Sequence, residues 1–192
     1  MQPWKLASTS RAGLVALALG VLLVALPGCG RNRVTVEVDV DSFIDPDDLT
    51  GTYNAPVGLP ELVLDLDPIA VNLVEGFSGV GPAEEVDLEV AIRYDNISGE
   101  GAARFTLFFA ETAEEVFNTP AVGNIDADLV PQAITNGTTR IAADQRVLDL
   151  FARDHMYMGL RFRWTPQTVT ALEGRYTITS IRAEVVSTVQ IL

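Results

Sequence analysis

The sequence predicts an all-β protein: an antiparallel β-sandwich of roughly eight strands, Ig-like or jelly-roll-like, with one short helix. Three observations carry this. Apolar residues recur with a period of two in one segment after another, beginning with Val34, Val36, Val38 and Val40 against Thr35, Glu37, Asp39 and Asp41. Gly, Pro and Asn punctuate these segments at short intervals. Helical crossovers of about 10–15 residues, which a parallel α/β sheet needs, are missing.

The first alternation runs to Asp45-Pro46-Asp47-Asp48, after which Gly51, Asn54, Pro56 and Gly58 read as a loop reaching Pro60. Leu62, Leu64 and Leu66 then alternate with Val63, Asp65 and Asp67, and Ile69, Val71 and Leu73 follow Pro68. Gly76 to Pro82 is a glycine-rich connection. Val86, Leu88, Val90, Ile92 and Tyr94 oppose Asp87, Glu89, Arg93 and Asp95 in the cleanest amphipathic strand. Asn96 to Gly101 reads as its turn, and Arg104 to Ala110 as its hairpin partner with Phe105, Leu107 and Phe109 inward.

Thr112 to Phe117 fits a helical turn, and Ile125 to Val130 a short strand. Asn136-Gly137 is a strong turn signal leading into Thr138 to Ala142. Asp144 fits the cap of a short helix to about Arg153, with Val147, Leu148 and Phe151 on one side. Met158, Leu160, Phe162 and Trp164 alternate with Tyr157, Arg161 and Arg163 until Thr165-Pro166. Arg175 to Ile191 is the last strand, long enough to need a bulge near Val185-Val186.

The N-terminus has a different character. Lys5 and Arg11 precede an unbroken apolar run from Leu14 to Leu26, followed by Pro27, Gly28 and Cys29, the only cysteine. A basic start, a short apolar stretch and a small residue before a cleavage point are the parts of an export signal. The run is shorter than the ~20 apolar residues of a spanning helix. Leu26-Pro27-Gly28-Cys29 resembles the lipobox of bacterial lipoproteins, with Pro27 departing from the usual Ala, Ser or Thr. The resemblance implies that Cys29 is acylated and becomes the first residue of the mature chain. The organisation expected is a signal peptide over 1–28, the acylated cysteine and a short tether over 29–33, and one β-sandwich over 34–192. Gly30 in place of Asp implies the outer membrane or cell surface rather than an inner membrane.

Cleavage before Cys29 removes 28 of 192 residues and leaves 164, enough for one domain with a core. Lys5 and Arg11 go and no acid does, so 11 basic residues, all arginine, remain against 26 acids, formally −15. Such a surface repels nucleic acid and anionic headgroups. The membrane is thus a partner through the anchor, an envelope protein or glycan is the expected further partner, and a monomer is expected.

No reactive constellation stands out, and a non-enzymatic protein is expected. His155 is the only histidine, with Asp154 and Asp149 nearby. The one serine in a suggestive context, Ser78 of Gly76-Phe77-Ser78-Gly79-Val80, lacks the final glycine of a nucleophile elbow. One His and one Cys cannot build a structural zinc site. Gly79-Val80-Gly81 lacks the third glycine of a dinucleotide loop, and no lysine follows for a phosphate loop. The acids Asp39, Asp41, Asp45, Asp47 and Asp48 crowd the end of the first strand and are the candidate calcium ligands. Their spacing is not that of an EF-hand, and the plainer expectation is a solvated loop that protects a sheet edge. Asp126 with Asp128 is a weaker pair. Tyr157, Arg161 and Arg163 on one outward strand face could belong to a sugar-binding platform, but parity places Trp164 and Tyr94 in the core and pairs the two arginines with acids of a neighbouring strand. The leading function is a structural or binding role in the cell envelope; the alternatives are a carbohydrate- or ligand-binding module and, less well supported, a hydrolase.

Overall fold

Period-two alternation buries one face of nearly every strand in the computed structural model, which describes residues 32–72, 83–153 and 155–189. In chain order the strands are β1 (Asn32–Asp39), β2 (Thr50–Ala55), β3 (Leu62–Asp65), β4 (Ile69–Asn72), β5 (Ala83–Ser98), β6 (Gly101–Ala110), β7 (Gly123–Leu129), β8 (Ala133–Ala142), β9 (His155–Pro166) and β10 (Leu172–Val189). Helix α1 (Gln145–Phe151) precedes β9. The Asp144 carboxylate accepts a hydrogen bond from the Val147 amide at 3.0 Å, the N-cap expected from sequence.

Two five-stranded antiparallel sheets form. One runs β1-β10-β5-β8, with β2 also on β10; the other runs β3-β9-β6-β7, with β4 also on β9. In each sheet a long strand carries two short ones in tandem along one edge, β1 and β2 on β10, β3 and β4 on β9. The ten strands therefore occupy eight positions, and the chain crosses repeatedly between sheets in the double Greek key of a jelly roll. One apolar cluster, including Leu88, Ile92, Phe105, Leu107, Phe162 and Ile181, fills the space between the sheets.

Several expectations are corrected. The segment read as loop up to Pro60 contains β2, whose Tyr53 and Ala55 are buried and whose backbone pairs with Leu172–Thr177. A strand supported by pairing with a distant partner leaves little local signal. β5 and β6 are not a hairpin: β5 lies between β10 and β8, and β6 between β9 and β7. Their apolar faces meet across the core, and the chain changes sheet at Gly99, whose φ of +71° and tight approach to Ala171 suit glycine. β5 also continues through Asn96 to Ser98. Asn136-Gly137 is not a turn but lies within β8, where Gly137 pairs with Ile92. The turn falls just before it, with Gln132 at φ +56°. In β10 the register shifts between Val186 and Ser187, beside the expected bulge, and again between Ile178 and Ser180.

Candidate functional site

The acids after β1 do not converge. The strand stops at Asp39 and a 3-10 turn occupies Val40–Phe43, so Asp39 and Asp41 do not share a strand face as the alternation suggested. The Ser42 hydroxyl donates to the Asp39 carbonyl at 2.6 Å. Asp39 lies 3.4 Å from the Arg182 guanidinium. Asp45 accepts from the Asp47 amide at 2.9 Å, a local turn bond. Burial raises the Asp41 pKa above its ordinary 3.8, and Asp39 raises it further against opposing Arg182. Among the described residues no three His, Cys, Asp or Glu side chains form a group that could hold a metal ion. Asp126 is taken up by Arg104 at 2.6 Å.

His155 is exposed at the start of β9, its backbone paired with Asn72. Asp149 accepts from the Gln145 side chain within α1 at 2.9 Å. Ser78, Asp154 and Cys29 lie outside the described residues.

The outward face of β9 is an ion-pair ladder. Arg161 reaches Asp65 of β3 through two bonds of 2.5 and 2.8 Å, the cross-strand pairing expected from sequence, and Arg163 reaches Glu61, just before β3, at 3.1 Å. The Arg161 guanidinium also lies 5.3 Å from the Phe108 ring centre and 5.0 Å from that of Phe117. Those rings belong to a second small apolar cluster with Ala110 and Val116. Trp164 and Tyr94 are buried, as parity predicted. Trp164 stacks on Tyr53 at 5.1 Å and on Phe162 at 5.5 Å. Tyr157, Phe43 and Phe117 are half-buried, and the other Phe, Tyr and Trp side chains among the described residues are buried.

The arrangement that sequence reading missed is at one end of the sandwich. There the connections β2–β3, β5–β6, β7–β8 and β9–β10 lie together because of the jelly-roll topology. The β5–β6 corner is fastened to the β9–β10 connection: Ser98 Oγ donates to the Ala171 carbonyl at 3.1 Å, the Gln167 amide to the Glu100 carbonyl at 2.8 Å, and the Glu100 amide to Thr168 Oγ1 at 3.3 Å. Beneath it, buried Asn96 donates to the Gly99 carbonyl at 2.8 Å and accepts from the Tyr53 hydroxyl at 3.1 Å. Pairing of Ala55 with Leu172 and of Ala133 with Asn96 brings in the other two connections. Val57, Leu59, Ile97, Val130, Ile134 and Val169 are exposed on this end, Val169 to 90% and Ile97 to 65%. Each is a single unremarkable residue in the sequence; only the topology gathers them.

No protein-family model matches the chain, and no curated protein matches its sequence. Solved structures do resemble it. T=1 particles derived from infectious bursal virus match with a TM-score of 0.50 at 8% identity, over 92% of this chain and 40% of that one. The Gt strain of infectious bursal disease virus matches at 0.47 and 8%, over 98% and 47%. A carbohydrate-binding module specific for non-crystalline cellulose matches at 0.38 and 11%, over 69% and 71%. The chain spans 35–47% of the length of the first virus chains it matches. The first of these likenesses supports the sandwich as a fold and says nothing of activity.

Proposed function

We propose that this chain is an exported bacterial lipoprotein, acylated on Cys29, whose β-sandwich has a non-catalytic structural or binding role in the cell envelope. The observation that carries the reading is the succession of Lys5 and Arg11, the apolar run Leu14–Leu26 and Gly28-Cys29, with β1 beginning at Asn32. An anchor at Cys29 would leave Gly30 and Arg31 between the lipid and the first strand, which holds the domain close to the membrane surface. In this reading residues 1–28 are removed, so attachment depends on Cys29.

Cells fed an alkyne-bearing fatty acid should yield labelled protein in the membrane fraction, and mass spectrometry should find an acylated N-terminal Cys29 with residues 1–28 gone. Cys29→Ser should abolish the label. Intact Met1 on the membrane-bound protein, or unlabelled protein that stays on membranes, overturns the reading. Gly30 favours the outer membrane, and density-gradient fractionation of the envelope tests that separately.

A further inference from the structure

We propose that the end of the sandwich formed by the β2–β3, β5–β6, β7–β8 and β9–β10 connections is a docking surface for a polypeptide with apolar side chains set among basic ones. Among the described residues every exposed large apolar side chain except Val63 lies on this end. Scattered apolar residues are ordinary on a surface, whereas their collection on one end with a polar rim marks an interaction site. Ile97 and Ile134 are diagonal neighbours on adjacent strands, since Asp95 pairs with Ile134. The bonds of Asn96, Ser98 and Glu100 hold the corner in a preformed shape, which lowers the ordering cost of binding.

Charge selects the occupant. Segments 54–61, 95–100, 128–134 and 165–173 contain the five acids Glu61, Asp95, Glu100, Asp128 and Glu173, against three arginines within two residues of them, Arg93, Arg163 and Arg175, the last opposite Asp95. Glu61 is paired with Arg163 and Asp95 with Arg93. Glu100 and Asp128 are in no ion pair among the described residues. A second copy of this end would set acid against acid, and an anionic lipid surface would be repelled in the same way. A basic-rimmed apolar surface complements both the rim and the centre, with charge guiding encounter and apolar burial holding the complex.

Position agrees. β10 starts at this end with Leu172, and its far end at Val189 pairs with Asn32 of β1. The docking end and the start of β1 are thus separated by the length of β10, roughly 55 Å at the usual rise per residue. The inference rests on the anchored reading only for orientation: an acylated Cys29 would point this end away from its own membrane.

The test places the photo-crosslinker p-benzoylphenylalanine at position 169, and as a control at exposed position 118, in the full-length chain in its own cells. Position 169 should give a protein adduct absent from 118, and the crosslinked peptide should carry Arg or Lys beside apolar residues. In isolated membranes the adduct should weaken severalfold with added salt or in Glu100→Gln with Asp128→Asn, and about tenfold in Ile97→Ser, whose exposed position leaves the fold intact by thermal melt. Adducts to lipid, to a second copy or to a peptide without basic residues overturn the proposal. So do equal adducts from 118 or none from 169. Soluble protein with the adduct intact overturns the anchor alone; anchored protein without it overturns the docking surface alone.

Discussion

Asp41 shows how a single side chain departs from its sequence context. In an alternating strand it would be one more solvated acid, but the 3-10 turn Val40–Phe43 draws it half inside. Burial, then Asp39, raises its pKa above 3.8. The folded state therefore holds this proton more tightly than the unfolded chain does. Stability falls as pH rises from the ordinary value through the raised folded one, and the cost is fully present at neutral pH. We expect Asp41→Asn to raise the melting temperature at pH 7 and the gain to vanish below about pH 4, where both states are protonated. Calorimetry across pH measures this, and an Asn variant that melts no higher than the parent at pH 7 refutes it. Arg161 is the opposite case, since parity alone predicted a strand-to-strand ion pair and Asp65 supplies it.

At the level of elements, β8 holds the clearest conflict between local and tertiary preference. Asn-Gly favours a hairpin turn, yet Asn136 and Gly137 pair with Arg93 and Ile92 inside β8, the edge strand of its sheet. A Cβ at Gly137 would fall within the Ile125 side chain of the facing sheet and touch Ile92 at 3.4 Å. Glycine is there because the two sheets approach closely, a different reason from the one its neighbour suggests. Gly137→Ala should cost about 1–3 kcal/mol by overpacking. In an Ile125→Ala background the same change should cost much less, because the opposing methyl is gone. Urea unfolding of the four proteins gives the coupling directly; an equal cost in both backgrounds rules out the close approach as the cause.

For the molecule as a whole, β10 is the spine. Its 18 residues pair with β5 on one side and with β1 and β2 on the other. The core reaches from Val40 through Val185 among the described residues. A chain starting at Gly30 should therefore fold alone, with a far-ultraviolet circular dichroism spectrum dominated by strand. Val90→Asp places an unpaired charge in that core, where Val90 is 1% exposed. The cost should be several kcal/mol, on the order of the stability of a whole domain. A helical spectrum, or a Val90→Asp variant with unchanged melting, contradicts this architecture.

Local chemistry determined what depends on neighbours along the chain. The alternations of β1, β5, β6 and β9 state which face is buried, and Asp144 states where α1 begins, because each signal lies within a few residues of its effect. The tertiary structure alone decided which strands pair. β5 and β6 have the alternation of a hairpin and lie in different sheets; β2 has hardly any alternation and is a strand because β10 is beside it. Strand pairing depends on residues far apart in sequence, and amphipathic strands of similar length are locally interchangeable. The apolar, acid-rich end was illegible for that reason: Val57, Ile97, Val130 and Val169 lie in or beside four separate connections, and they share one end of the sandwich only because the jelly-roll crossing brings those connections there.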